Sequence, residues 1–133
     1  MNSNNFMKAG FLVICYFYSL ISNCQQPYEL LITEIMADPT PSRGLPEIEF
    51  LEVYNSSNKP LQLSEYTLYY NTFQTNIPSK VLLPNEYAIL VRNGNEAGFQ
   101  DLGMVLSLPR LSLLNGGTII RLVKENTTVF EVN

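Results

Sequence analysis

Histidine and tryptophan are absent from the 133 residues, and cysteine occurs only twice. Without histidine there is no His-bearing zinc site, no Ser-His-Asp triad and no Cys-His pair. Chemistry, if any, would fall to carboxylates, a hard-cation site or a Ser-Lys pair. Charge is also scarce, at 15% of residues, and eight Lys and Arg stand against twelve Asp and Glu for a formal net charge of −4. A surface of that sign repels phosphate backbones, so nucleic acid is not an expected partner. At 46% hydrophobic residues the chain has material for one packed domain and too little length for two.

Long apolar runs are limited to residues 9–21, whose polar members are Tyr16, Tyr18 and Ser19. A membrane-spanning helix needs about 20 apolar residues, whereas this run has the length of a signal-peptide h-region behind the single positive charge of Lys8. Residues 1–24 therefore read as a signal peptide and residues 25–133 as the exported domain. Ser22-Asn23-Cys24 puts small residues where a signal peptidase inspects them, which predicts cleavage after Cys24 and Gln25 as the first residue. The rival reading takes Ile21-Ser22-Asn23-Cys24 as a lipobox, with Cys24 acylated and any membrane contact made through that anchor. Neither leaves a disulfide, so the domain must be held by its core. Loss of Lys8 leaves seven basic and twelve acidic residues, a net of −5. The expected location is secreted or on a bacterial cell surface, in the outer membrane or the extracellular space.

From Leu30 onward short β-rich runs are broken by Pro, Gly, Asn and Ser, and nothing keeps a 3.6-residue period for ten residues. The pattern predicts strands over residues 30–36, 48–54, 61–63, 67–70, 81–83, 87–91, 111–114, 118–123 and 128–132. Residues 71–79 read as a connection and residues 96–99 as one helical turn. Pro39, Pro41, Gly44 and Pro46 place a loop after the first strand. The nearly continuous apolar run at 87–91 is of the kind buried between two layers. Short strands at this spacing fit an all-β, immunoglobulin-like antiparallel β-sandwich.

Leu31-Ile32-Thr33-Glu34-Ile35-Met36-Ala37-Asp38-Pro39, followed by Glu49-Phe50-Leu51-Glu52-Val53-Tyr54-Asn55, resembles the opening of a lamin tail domain. The likeness continues through Pro60-Leu61-Gln62-Leu63-Ser64-Glu65-Tyr66-Thr67-Leu68, Leu83-Pro84-Asn85-Glu86-Tyr87 and Leu113-Leu114-Asn115-Gly116-Gly117-Thr118-Ile119-Ile120-Arg121-Leu122. Tyr66 stands where that family usually has Trp, so its hydroxyl needs a partner if it fills the core slot, and Glu65 stands where the family usually has Gly. The resemblance implies a non-catalytic interaction or scaffold module of a secreted or surface protein, with a protein or glycan as partner. The alternative it implies is an accessory domain of a secreted hydrolase, of nuclease or phosphoesterase type, whose chemistry lies beyond Asn133. It further implies a last strand after residue 132, so that the sequence is either a fragment of a longer protein or a sandwich lacking that strand, with an open sheet edge that invites self-association.

Glu34, Asp38, Glu47, Glu49 and Glu52 crowd five carboxylates into a short stretch. Asp38, Glu47 and Glu49 are the weak candidates for a Ca²⁺ site, but no D-x-D-x-D-G spacing supports one. The plainer reading has strand carboxylates facing water, with Glu52 or Asn55 satisfying loop backbone. Glu49 and Glu52 lie three apart on a strand and face opposite ways, so they cannot form a glycosidase pair. No cofactor and no catalytic residue is expected. Most tyrosines and phenylalanines read as core. Tyr69, Tyr70 and Phe73, beside polar Asn71, Thr72 and Gln74, are the candidate exposed patch for a partner.

Overall fold

The computed structural model describes residues 28–42 and 44–133. The expected signal peptide and Cys24 lie outside the described residues. The chain after Tyr28 enters β1 (Leu30–Met36), then β2 (Phe50–Asn55), β3 (Leu61–Gln62), a 3-10 turn (Leu63–Glu65), β4 (Tyr66–Tyr70), β5 (Phe73–Asn76) and β6 (Val81–Leu82). It continues through β7 (Tyr87–Arg92), a longer 3-10 segment (Glu96–Leu102), β8 (Met104–Leu108), β9 (Ile120–Lys124) and β10 (Thr127–Val132).

One sheet has the order β1-β2-β7-β8 and the other the order β10-β9-β4-β5, while β3 and β6 pair in a short ribbon. Face to face they make an immunoglobulin-like β-sandwich. Period-2 alternation sorts the side chains. Leu51 and Val53 of β2, Ala88 and Leu90 of β7, and Leu106 and Leu108 of β8 meet Leu68 and Tyr70 of β4 and Ile120 and Leu122 of β9 in the main core. Among the described residues no helix is long and apolar enough to cross a membrane.

The first sheet carries a second, smaller core on its outer face. Phe50, Ile89 and Val91 point away from the main core and are covered by Phe99 from the 3-10 segment, with Met36, Leu45, Ile48 and Val105 around them. Residues 88–91 of the apolar run are accordingly buried on both faces of the sheet, while Tyr87 at its start is half exposed. Gly98 lets this roof approach closely: a Cβ there would lie 3.1 Å from Ile48 Cδ1 and 3.3 Å from Pro46 Cβ.

Three regions differ from the sequence expectation. Residues 73–76 are not a connection but β5, joined to β4 by the two-residue turn Asn71-Thr72, with Asn71 at φ 51°. An edge strand pairs on one side only, so the polar pattern Phe73-Gln74-Thr75-Asn76 suffices. Residues 111–114 are extended but belong to no sheet: Leu113 N donates to Glu49 Oε2 at 3.1 Å, and Ser112 O accepts from Asn71 Nδ2 at 2.9 Å. Side chains replace a ladder there, so Leu111 and Leu113 point inward as strand residues would. The fourth strand of the first sheet is instead β8, and it runs parallel to β7, because the chain crosses the outer face through the 3-10 segment before rejoining the sheet.

β10 is an edge strand whose edge is blunted. Its register shifts between Thr128 and Phe130, and Tyr28 N donates to Val129 O at 2.9 Å. A bulge plus a capping backbone bond disrupts the row of free groups that another strand would need.

Candidate functional site

Two buried polar residues lie at the end of the sandwich where β1 begins. Glu29, just before β1, is 2% exposed. Tyr66 Oη of β4 donates to its Oε1 at 2.5 Å, and Lys124 Nζ at the end of β9 donates to the same oxygen at 3.2 Å. Lys59 Nζ lies 3.1 Å from Oε2, an ion pair without hydrogen-bond alignment. Lys124 also pairs with Glu65 at 2.8 Å. The tyrosine in the tryptophan slot thus has the partner its hydroxyl requires, and Glu65 in the glycine position serves the same cluster. Burial by itself pushes the Glu29 carboxyl up, but the Tyr66 hydroxyl and the Lys59 and Lys124 ammonium groups outweigh it and hold the group below its ordinary value. Burial and the adjacent Glu29 carboxylate push the Tyr66 phenol far above its ordinary range. Burial lowers Lys124, and the two carboxylates more than reverse this, leaving it raised. A depressed carboxylate held by two ammonium groups and one hydroxyl is a fastener between sheets, not a proton donor poised near neutrality.

Asn55, fully buried, is the other polar residue. Its Nδ2 donates to Lys59 O and Leu82 O, both at 2.9 Å, and its Oδ1 accepts from Ser57 N at 2.9 Å and Ser57 Oγ at 2.7 Å. It closes the turn after β2 and ties that turn to β6, which is the backbone-satisfying role weighed for it above.

The three carboxylates considered for calcium do not converge. Asp38 accepts from Thr40 Oγ1 at 3.3 Å, Glu47 from Ser42 N at 3.2 Å, and Glu49 from Leu113 N at 3.1 Å. Among the described residues no group of three or more acidic or Cys side chains is placed to hold a metal ion. Glu52 accepts from Thr33 Oγ1 at 2.7 Å on the opposite side from Glu49.

The expected aromatic patch divides. Tyr70 is not exposed: it is 1% accessible in the main core, its Oη donates to Arg110 O at 2.8 Å, and burial pushes its phenol up. The alternation of β4 turns Tyr70 inward because Tyr66 and Leu68 share its face. Phe73 is half-buried with the Arg110 guanidinium 3.5 Å from its ring centroid. Tyr69 alone of the three stands on the outer face of the second sheet. Strand register aligns it with Gln74 of β5 on one side and Arg121 of β9 on the other, and Arg121 in turn faces Glu131 of β10. Gln74, Tyr69, Arg121 and Glu131 therefore form one transverse row across all four strands. The Arg121 guanidinium is 5.5 Å from the Tyr69 ring centroid and its Nε is 3.9 Å from Glu131 Oε2. The row borders a cavity of about 480 Å³, closed at one end by the Asn71-Thr72 turn and by Thr118 and Ile119. No contiguous motif announces Arg121 and Glu131. Their signal was available only as outward positions of the hairpin at residues 118–132.

A second aromatic feature lies on the first sheet. Tyr54 and Tyr87, cross-strand partners in β2 and β7, pack with ring centroids 4.5 Å apart, and Tyr87 is half exposed. These are outward tyrosines, unlike the core role expected of most.

Against known proteins, a search of curated sequences finds no match. A family model described as Lamin Tail Domain matches residues 24–132. That family is an immunoglobulin-like, non-catalytic one, in keeping with the two stacked sheets described above. On the strength of a match spanning residues 24–132, the chain belongs to the Lamin Tail Domain family.

Proposed function

We propose that this domain is a non-catalytic interaction module of a secreted or cell-surface protein, and that it engages its partner through the outer face of the second sheet. The observation that carries this reading is the contrast in cover. The outer face of the first sheet is roofed by Phe99 and its neighbours, whereas the second presents Gln74, Tyr69, Arg121 and Glu131 in a row beside a 480 Å³ cavity. An uncovered row that mixes an aromatic ring with groups able to donate and accept is the composition of a binding surface. The polar cluster of the interior supports the same reading, since Glu29 is tied to Tyr66, Lys124 and Lys59 and serves to fasten the sheets.

Export is supported by the h-region at residues 9–21 and the Ser22-Asn23-Cys24 boundary. The test uses the full chain expressed in its source cells with a photocrosslinking residue at Thr72, beside the cavity, or at Leu102, on the roof. Saturable adducts with surface or extracellular material at position 72 and not at 102, on a chain whose mass begins at Gln25 or acylated Cys24, are expected. Adducts of equal yield at both positions, or a chain retaining Met1 inside the cell, would overturn the reading.

A further inference from the structure

We infer that the cavity on the second sheet is a saccharide subsite that takes an uncharged oligosaccharide. The inference rests on the reading above, that this face is the contact surface, and names the ligand class.

Size is the first argument. At about 480 Å³ the cavity falls inside the range of small-molecule sites, roughly 300–1,000 Å³. A standard protein partner needs a face of about 800 Å² that is flatter and carries an apolar centre. Here the floor is a four-strand row with one aromatic ring, and the walls are a hairpin turn and a loop.

Charge is the second. Among the described residues the ionic side chains lining the cavity are Arg121 and Glu131, one of each sign, 3.9 Å apart and adjacent across β9 and β10. A phosphate or carboxylate ligand would gain from Arg121 and be repelled by Glu131, and a cation would meet the reverse. A neutral ligand meets neither conflict, and hydroxyls can accept from the guanidinium while donating to the carboxylate.

The third is the pattern of polar groups. Gln74, with one amide donor group and one carbonyl acceptor, and Thr72 and Thr118, each with a hydroxyl, line the same space as the Tyr69 ring. A ligand matching them must donate and accept at several points and also offer an apolar C–H face to the aromatic ring. Sugars have both features. Phe73 and the half-exposed Ile119 line the same space and add apolar surface for such C–H faces.

The test titrates the full chain, purified in its exported form and labelled for nuclear magnetic resonance, with maltotriose, cellotriose, N,N′,N″-triacetylchitotriose and, as a charged probe, a trigalacturonate. At least one neutral trisaccharide is expected to shift the resonances of Tyr69, Gln74, Arg121 and Glu131 together. Tyr69→Ala should weaken it about tenfold or more, equivalent to the loss of a ring contact. Gln74→Ala provides a second variant in case Tyr69→Ala unfolds the sheet, and thermal melts of both establish folding. Shifts absent with every neutral trisaccharide, shifts centred on Tyr54 and Tyr87, or tighter binding of trigalacturonate than of any neutral probe would each overturn the inference. Should no sugar bind while crosslinking at position 72 still yields a specific protein adduct, the saccharide assignment falls and the contact-face reading stands. Absence of both removes the two together.

Discussion

The two sheets differ in how they treat their outer faces. The first buries a second core there: Phe50, Ile89 and Val91 point outward and the chain folds back over them through Leu45, Ile48 and Phe99. The second leaves its outer side open, with half-buried or exposed polar residues and Tyr69. A covered sheet contributes stability from both sides. An open one must be fastened from within, and Glu29 does this, reaching from the start of β1 to Tyr66 and Lys124 of the second sheet. The lesson is a division of labour: outer packing is concentrated on one sheet, and the other leaves its outer face open.

The largest effect expected from breaking this contrast is loss of the roof. Phe99 is fully buried, in an edge-to-face contact with Phe50 at a centroid distance of 5.2 Å. Phe99→Ala should destabilise the domain by about 4 kcal/mol, through lost burial and the cavity left behind. Urea unfolding measures it, and a loss below about 1 kcal/mol would mean that the outer core is an ornament to the sheet.

Next comes the internal fastener. Glu29→Gln keeps the shape and removes the charge that Lys124 and Lys59 face, and should cost about 2 kcal/mol at neutral pH. The sign with pH follows from linkage. The folded-state pKa of Glu29 lies below its ordinary value of 4.5, so its contribution is fully present above that value and is lost as pH falls through the lower folded value. Lys124 and Tyr66 are shifted up, so theirs is present below about pH 10 and lost as pH rises beyond it. Unfolding midpoints of the parent and Glu29→Gln compared at pH 7 and near pH 3 should therefore converge in acid. A gap that stays constant would assign the loss to packing instead of charge.

The smallest effect is on the open face. Arg121 is substantially exposed and its pair with Glu131 is long. Arg121→Ala should change stability by no more than about 0.5 kcal/mol. A larger loss in thermal melts would show that the row is part of the sheet's cohesion and blunt the comparison between a packed face and a presented one.

How far the sequence reaches can be judged residue by residue. Alternation places β2 and β7, the loop prolines place the break after β1, and the gap between the expected strands 118–123 and 128–132 holds the turn of the last hairpin, where Glu125 and Asn126 adopt positive φ. Residues 111–114 misled because inward-facing Leu111 and Leu113 satisfy the same period whether a strand or a pair of side chains holds the backbone. β8 has no distinct signature, since a short apolar run before Pro109 does not say which strand it will join. The sequence around Tyr70 reads as surface because its polar neighbours Asn71 and Thr72 belong to a turn, while its own direction is set by the alternation it shares with Tyr66 and Leu68.

Sequence by itself determined the family, the β-sandwich class, the inward sets of most strands and the lack of histidine chemistry, because these depend on residue type and on a local period of two. Only the tertiary structure decided that Glu29 is buried, that the first sheet is roofed, and that Gln74, Tyr69, Arg121 and Glu131 stand in line. Those four come from four strands, far apart in the chain, and cross-strand neighbours are fixed by hydrogen-bond register, which no local stretch of residues encodes.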